Sequence, residues 1–427
     1  MLRRFMIVAT AAPLVLALTI AGTGASGATK VTPQLVASSS LHATSITLGG
    51  AVPLATDRTV AHFAATTLNP VNGVTYSYNM VGVNPATCSG PSCATTIQTD
   101  IVPVNVNIGG WTFSGSDVVA PTLASPIFAT NDYAATPTAT ATGLFPAYPN
   151  ETPGPGGALL PAESGVPLQL EDATMRAQFN QSGASPYHLV LHANVRSAVT
   201  INVPLNQGIV VETYSGVVLP IINASWWSSQ INNLLSQADP THLPLYLTNN
   251  VVLSAGPLGH GFNNCCIIGY HGAKARSSSG AGNAKVQTYA WSSWVSPGMF
   301  SDPSDSSWAL QDIHALGHEI AEWADDPFIN NTVQPWVTPT APQYGCTALL
   351  ETGDPVVGIG FSMGTNAFEQ GVNLDGHQYA DGTYHPEDEV LLPWFMRSSP
   401  STASDGRYTL MGTLNPFPGF QVPATGC

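Results

Sequence analysis

His318, Glu319 and Glu322, in the run DIHALGHEIAEWADDP at 312–327, are the residues whose types and spacing best fit metal chemistry. Apolar side chains at Ile313, Leu316, Ile320 and Trp323 recur with helical spacing and Pro327 closes the run, so a helix is predicted from Ser306 to Ala324. On that helix His318 and Glu322 stand one turn apart on one face and can share an ion, with Glu319 one step round beside it. This is the zinc-hydrolase pattern His-Glu-x-x-His with its last imidazole exchanged for a carboxylate, and Glu319 takes the place of the catalytic general base. The added carboxylate lowers the effective charge of the ion, so both a catalytic and a structural Zn2+ stay open.

His314 offers a rival pair with His318. All three cannot meet one ion, because His314 and Glu322 are separated by about 12 Å of helical rise and zinc bonds are about 2 Å long. Only the His318–Glu322 pair brackets a Glu placed as base, which puts His314 behind the ligands or at the surface. The third ligand is expected from Glu351 in Glu351-Thr352-Gly353-Asp354, with Asp354 orienting it. His385, in Tyr384-His385-Pro386-Glu387, is a reserve ligand or a catalytic group that stabilises an oxyanion.

At these residues the chain resembles the EXORDIUM-like (phosphate-induced protein) family of plants and its bacterial relatives. That family carries a His-Glu-x-Ala-Glu segment, an Asn-Pro or Asp-Pro step, and a Glu-Ile-x-Asp-Leu-Cys segment. The matching residues are His318 to Glu322, Asp326-Pro327 with Asn330, and Glu351 to Asp354, with Pro355 where the family has its Cys. The resemblance takes in CCIIGYHGA at 265–273 and Gln287 to Ala290 and spans 243–395. It implies an extracellular, cell-wall-associated protein with a zincin-like metal-site pattern, and no particular substrate.

The elements that must carry this helix are legible from periodicity. Strands are predicted at 74–83, 95–108, 187–195, 199–203, 243–253 and 286–294, and helices at 170–179 and 225–237. A hairpin is expected about Asp381-Gly382, between Tyr379 and Tyr384. The Pro-, Thr- and Gly-rich stretch 134–161 reads as a surface excursion, and 29–55 as a flexible leader. The mixture is α+β: one large zincin-like domain over 56–427 with a mixed twisted sheet, divided into a β-rich part (56–240) and a loop-rich metal-site part (241–427).

Residues 1–28 have a basic start, an apolar stretch and small residues near Ala25 and Ala28, the pattern of a secretory signal peptide. A secreted protein with no membrane span after cleavage is expected. Its six cysteines then suit three disulfides, with Cys88–Cys93 local and Cys265 and Cys266 reaching Cys346 and Cys427. Only 9% of the 427 residues are charged and the net charge is −15, which leaves no basic stripe for nucleic acid. Such a balance also suits an acidic medium. His188 and His192 lie too far apart along a strand, about 13 Å, to share an ion. His271, between glycines, is a residue that could line the cleft. Trp226, Trp227, Trp291 and Trp294 form either an aromatic platform for sugars or core packing. The function expected is a peptidase-like zinc hydrolase acting on an extracellular peptide or cell-wall polymer; the alternative is a noncatalytic wall- or carbohydrate-associated protein with a structural ion.

Overall fold

Alternating apolar and polar residues in ATTIQTDIVPVNVNI fold into one 15-residue strand around which the protein is organised. The computed structural model describes residues 30–31, 34–36, 57–133, 166–213, 215–258, 265–276, 285–300, 312–338, 346–357, 359–368, 373–374, 377–378 and 382–412. The predicted signal peptide, the excursion 134–161, and the helical residues 306–311 lie outside them.

The strands are β1 (Gln34–Val36), β2 (His62–Leu68), β3 (Thr75–Val81), β4 (Ala94–Ile108), β5 (Trp111–Phe113), β6 (Asn131–Asp132), β7 (Pro167–Leu168), β8 (His188–Val195) and β9 (Val199–Asn202). They continue as β10 (Gly208–Thr213), β11 (Val218–Asn223), β12 (Leu243–Asn249), β13 (Val252–Ser254), β14 (Cys265–Ile267), β15 (Gly269–Arg276), β16 (Lys285–Trp294), β17 (Thr332–Val337) and β18 (Cys346–Leu349). Five α-helices occur among the described residues: α1 (Val119–Ala124), α2 (Leu170–Gln178), α3 (Ala224–Leu234), α4 (His314–Asp325) and α5 (Leu392–Phe395).

The fold is α+β. Its main sheet runs β15-β16-β12-β4-β5, with β8 and β9 also paired to β4. The sheet is mixed: β4 is parallel to β8, β9 and β12, and β12 to β16, whereas β5 and β15 run antiparallel to their neighbours. A second sheet runs β1-β10-β11-β13-β14.

Period-two alternation on β16 sends Tyr289 and Trp291 to one face, against Trp227 of α3. Ala290 and Trp294 go to the other face, into the cluster that holds Leu316, Ile320 and Trp323 of α4. Each of the buried Leu and Ile side chains contributes about 1.5–3 kcal/mol. Trp323 Nε1 donates to Thr288 Oγ1 of β16 at 2.9 Å, which sets the rotation of α4 on the sheet. At the end of α4, Gln178 Nε2 of α2 donates to Asp325 Oδ1 at 2.6 Å. Gly317 lets α2 approach: a Cβ there would sit 3.3 Å from Leu170 Cδ2.

Several expectations change. Within 29–55, Gln34–Val36 forms β1 and pairs in parallel with β10, and the Val31 N–H donates to the Gly109 carbonyl at 2.8 Å. The strand expected over 243–253 is two strands in different sheets, broken at Asn250, whose φ of 56° suits the short polar side chain. Cys88–Cys93 forms as expected, but Cys265 bonds to Cys266 instead of a distant partner. Cys346 is itself disulfide-bonded, and Cys427 lies outside the described residues. Tyr384 pairs with Met363, while Tyr379 and Asp381 lie outside the described residues. Trp227, Trp291 and Trp294 are core residues, at most 2% exposed, because Trp227 of α3 packs on Trp291 of the sheet and Trp294 lies in the cluster with α4, so they form no open platform. No helix among the described residues is long and apolar enough to cross a membrane.

Candidate metal centre

The site lies where α4 crosses β15, the edge strand of the main sheet. Along β15, Tyr270 packs with Trp291 on one face, while Gly269, His271 and Ala273 take the face toward α4. That alternation brings His271 onto the helix positions that carry Glu319 and Glu322. Gly269 leaves room for Glu319 there, since a Cβ would sit 2.6 Å from both its Cγ and Oε1 and would displace that side chain.

His318 has its two ring nitrogens in different roles. Nδ1 donates to Glu387 Oε2 at 2.7 Å, and Nε2 faces Glu322 Oε1 at 3.1 Å and Asp354 Oδ1 at 3.8 Å. The Asp354 amide donates to Glu322 Oε1 at 3.3 Å. His318 lies against Gly353, where a Cβ would come within 2.6 Å of ring atoms Cγ and Cε1. His314 Nε2 is 3.0 Å from the same Glu387 oxygen. Glu387 thus ties two helix positions to the segment that follows Tyr384.

His271 is arranged in parallel. Its Nδ1 is 3.5 Å from Glu319 Oε2 and 3.5 Å from Glu322 Oε2, and its Nε2 is 3.7 Å from Glu351 Oε2. Among the described residues two groups therefore have donor atoms close enough for an ion, His318–Glu322–Asp354 and His271–Glu319–Glu322, with Glu322 common to both. Ligand atoms around a tetrahedral zinc with bonds near 2.1 Å are about 3.4 Å apart. The His318 distances bracket that spacing. Buried Glu319 Oε2, Glu351 Oε2 and His271 Nε2 have no hydrogen-bond partner, which also fits a cation-binding cluster.

The electrostatics follow from packing these groups out of water. Burial disfavours the imidazolium of His271, but Glu351, Glu319 and Glu322 outweigh it and raise its pKa well above the usual value. Burial likewise opposes charge on His318, and Glu322 and Glu387 overcome it in the same direction. Glu319 is raised by burial against the pull of His271 and His318. Burial acts to raise Glu322 too, yet His318 and His271 hold it far below the ordinary carboxylate range. Asp354, whose side chain is 35% exposed, is pushed up to about 7 by its partial burial and by Glu322. Burial and Glu322 raise Glu351 well above its usual value.

The predicted residues are thus distributed unevenly. His318 and Glu322 meet as the helical spacing requires, but the third member of their group is Asp354, while Glu351 faces His271. His385 is not part of either group: its amide donates to Asp312 Oδ1 at 2.8 Å and its ring contacts Asp312 and Thr383. Asp326 accepts from the amides of Asn330 and Asn331, so that part of the family-like segment closes the turn after α4. Sequence reasoning misses His271 as a donor and Glu387 altogether. The small–His–small alternation of Gly269, His271 and Ala273 is the signal that could have found the first. Comparison with known protein families, with curated proteins and with solved structures returns no match for this chain.

Proposed function

We propose that this chain is a secreted, zincin-like, metal-dependent hydrolase of the peptidase kind, with Zn2+ held by His318, Glu322 and Asp354 and with Glu319 as general base. The observation that carries this reading is the Glu387–His318 hydrogen bond, which commits Nδ1 as donor and leaves Nε2 facing two carboxylates. When bound, the ion supplies a positive charge that polarises water and the scissile carbonyl.

The chain's own groups do the rest. Glu319 stands next to His318 on α4, and burial raises its proton affinity, so it can take a proton from water and keep it until the leaving group needs it. Glu387 fixes the His318 ring, with His314 on the same oxygen. Asp354, with its side chain 35% exposed, marks the side on which an extracellular peptide or wall polymer enters. The likeness to EXORDIUM-like segments and the extracellular setting belong to this proposal and rest on the sequence residues quoted above.

A second reading is a noncatalytic wall-associated protein whose ion ties the 351–354 loop to α4, and the depth of the centre favours it: Glu319 and Glu322 are each 5% exposed. Glu319→Gln separates the two. In the hydrolase, this variant keeps the His318-bound ion and loses cleavage of a mixed peptide pool by about 100-fold or more. Unchanged cleavage in the variant, or none by the wild-type zinc-loaded protein, would sink the catalytic reading.

A further inference from the structure

We infer that a second divalent cation binds on the inner side of Glu322, between His271 Nδ1, Glu319 Oε2 and Glu322 Oε2, so that the Glu322 carboxylate bridges two ions. This rests on reading His318, Glu322 and Asp354 as the first ion's ligands, and it adds a site of different composition.

Geometry carries the argument. His271 Nδ1 lies 3.5 Å from each of the two carboxylate oxygens. That is longer than an N–H···O hydrogen bond, about 2.7–3.2 Å, and close to the spacing of about 3.4 Å between ligands on one tetrahedral zinc. The two oxygens of Glu322 are already divided: Oε1 faces His318 and accepts from the Asp354 amide, and Oε2 faces His271. Glu319 Oε2 is buried with no hydrogen-bond partner, although its residue is only 5% exposed.

The two histidines also repeat one arrangement. His318 turns Nδ1 to Glu387 and Nε2 to its ligand group; His271 turns Nε2 to Glu351 and Nδ1 to its own. Behind His318 that carboxylate is hydrogen-bonded and fixes the tautomer and orientation of the ring, whereas Glu351, at 3.7 Å, faces the His271 ring without a hydrogen bond. Occupying the inner site takes Glu319 Oε2 as a ligand and withdraws it as a base, so excess metal slows hydrolysis.

The test uses the full chain and the metal alone. Titration with Zn2+, followed by calorimetry and elemental analysis, is expected to saturate at two ions per wild-type chain and at one in Glu319→Gln and His271→Phe. With Mn2+, the paramagnetic spectrum of an isolated ion at one equivalent should give way to an exchange-coupled spectrum at two. Glu319→Gln is nearly isosteric and carries the test if His271→Phe does not fold. Wild-type saturation at one ion overturns the inner site alone and leaves the proposed function standing; binding of no ion overturns both. Two ions retained in both variants would overturn the assignment of ligands.

Discussion

On one side of Glu322, His318 is held at 2.7 Å by Glu387 and faces Asp354, whose side chain is 35% exposed; on the other, His271 and Glu319 have side chains at most 7% exposed and stand 3.5 Å apart. The outer side is organised by a short charge-assisted hydrogen bond from a distant segment, the inner side by space left at Gly269 and by charge balance. One carboxylate therefore serves an oriented ligand group and a sealed one whose contacts are too long to be hydrogen bonds.

The sharpest way to break this contrast is at the two glycines. In Gly353→Ala the added Cβ overlaps the His318 ring, most closely at Nδ1, the atom bonded to Glu387, so the contacts of the ring with Glu387 and Glu322 are disturbed. The outer ion should bind at least about 100-fold more weakly, and unfolding should cost about 1–3 kcal/mol less. Gly269→Ala instead crowds Glu319 and should spare the outer ion. Calorimetric titration of both variants checks this, and equal losses of the first ion in both would erase the distinction between the sides.

A smaller effect is expected for Glu387→Gln, which keeps the shape but weakens the orientation of His318. Outer-site affinity should fall about 10–100-fold in chelator competition. Unchanged affinity would show that the ring is held by packing against Gly353 alone.

The gentlest probe is pH. Burial raises Asp325 to about 7, Asp326 to about 6 and, with Glu322, Asp354 to about 7. His271 and His318 are raised as well, their carboxylates overcoming burial. Groups raised on folding bind more protons in the folded chain, so their stabilisation is complete below the unfolded values and is lost as pH climbs through the folded ones. Glu322, held low, acts oppositely, but only in strong acid. With a chelator present, the melting temperature should decline from about pH 4 to about pH 7. A rise through that window would contradict the raised proton affinities of Asp325, Asp326 and Asp354, and added divalent ion should flatten the slope.

Much of the scaffold is legible in the sequence because its signals are local. The periodicity of LEDATMRAQ and ASWWSSQINNL marks α2 and α3, and alternation marks β4, β8 and β16. The His318–Glu322 contact follows from helical spacing alone. The rest is set by pairing across long separations. His271 reaches the helix only because β15 pairs with β16 and α4 lies on that sheet, and Glu387 reaches His318 across 69 residues. The exchange between Glu351 and Asp354 turns on which carboxylate the Gly353 turn presents to the helix, and spacing does not encode that. The neighbouring cysteines mislead for a related reason: a long-range staple was expected where Cys265 and Cys266 satisfy each other.

The clasp between Trp323 and Thr288 separates two tasks within α4. Trp323, Gly317 and Asp325 anchor the helix to β16 and α2, whereas His318, Glu319 and Glu322 carry the donor atoms. Because anchors and donors are different side chains, the donor set can be exchanged without re-seating the backbone. For protein engineering this makes α4 a socket: Glu322→His would restore the two-imidazole zinc pattern on a helix whose position is already fixed by other residues.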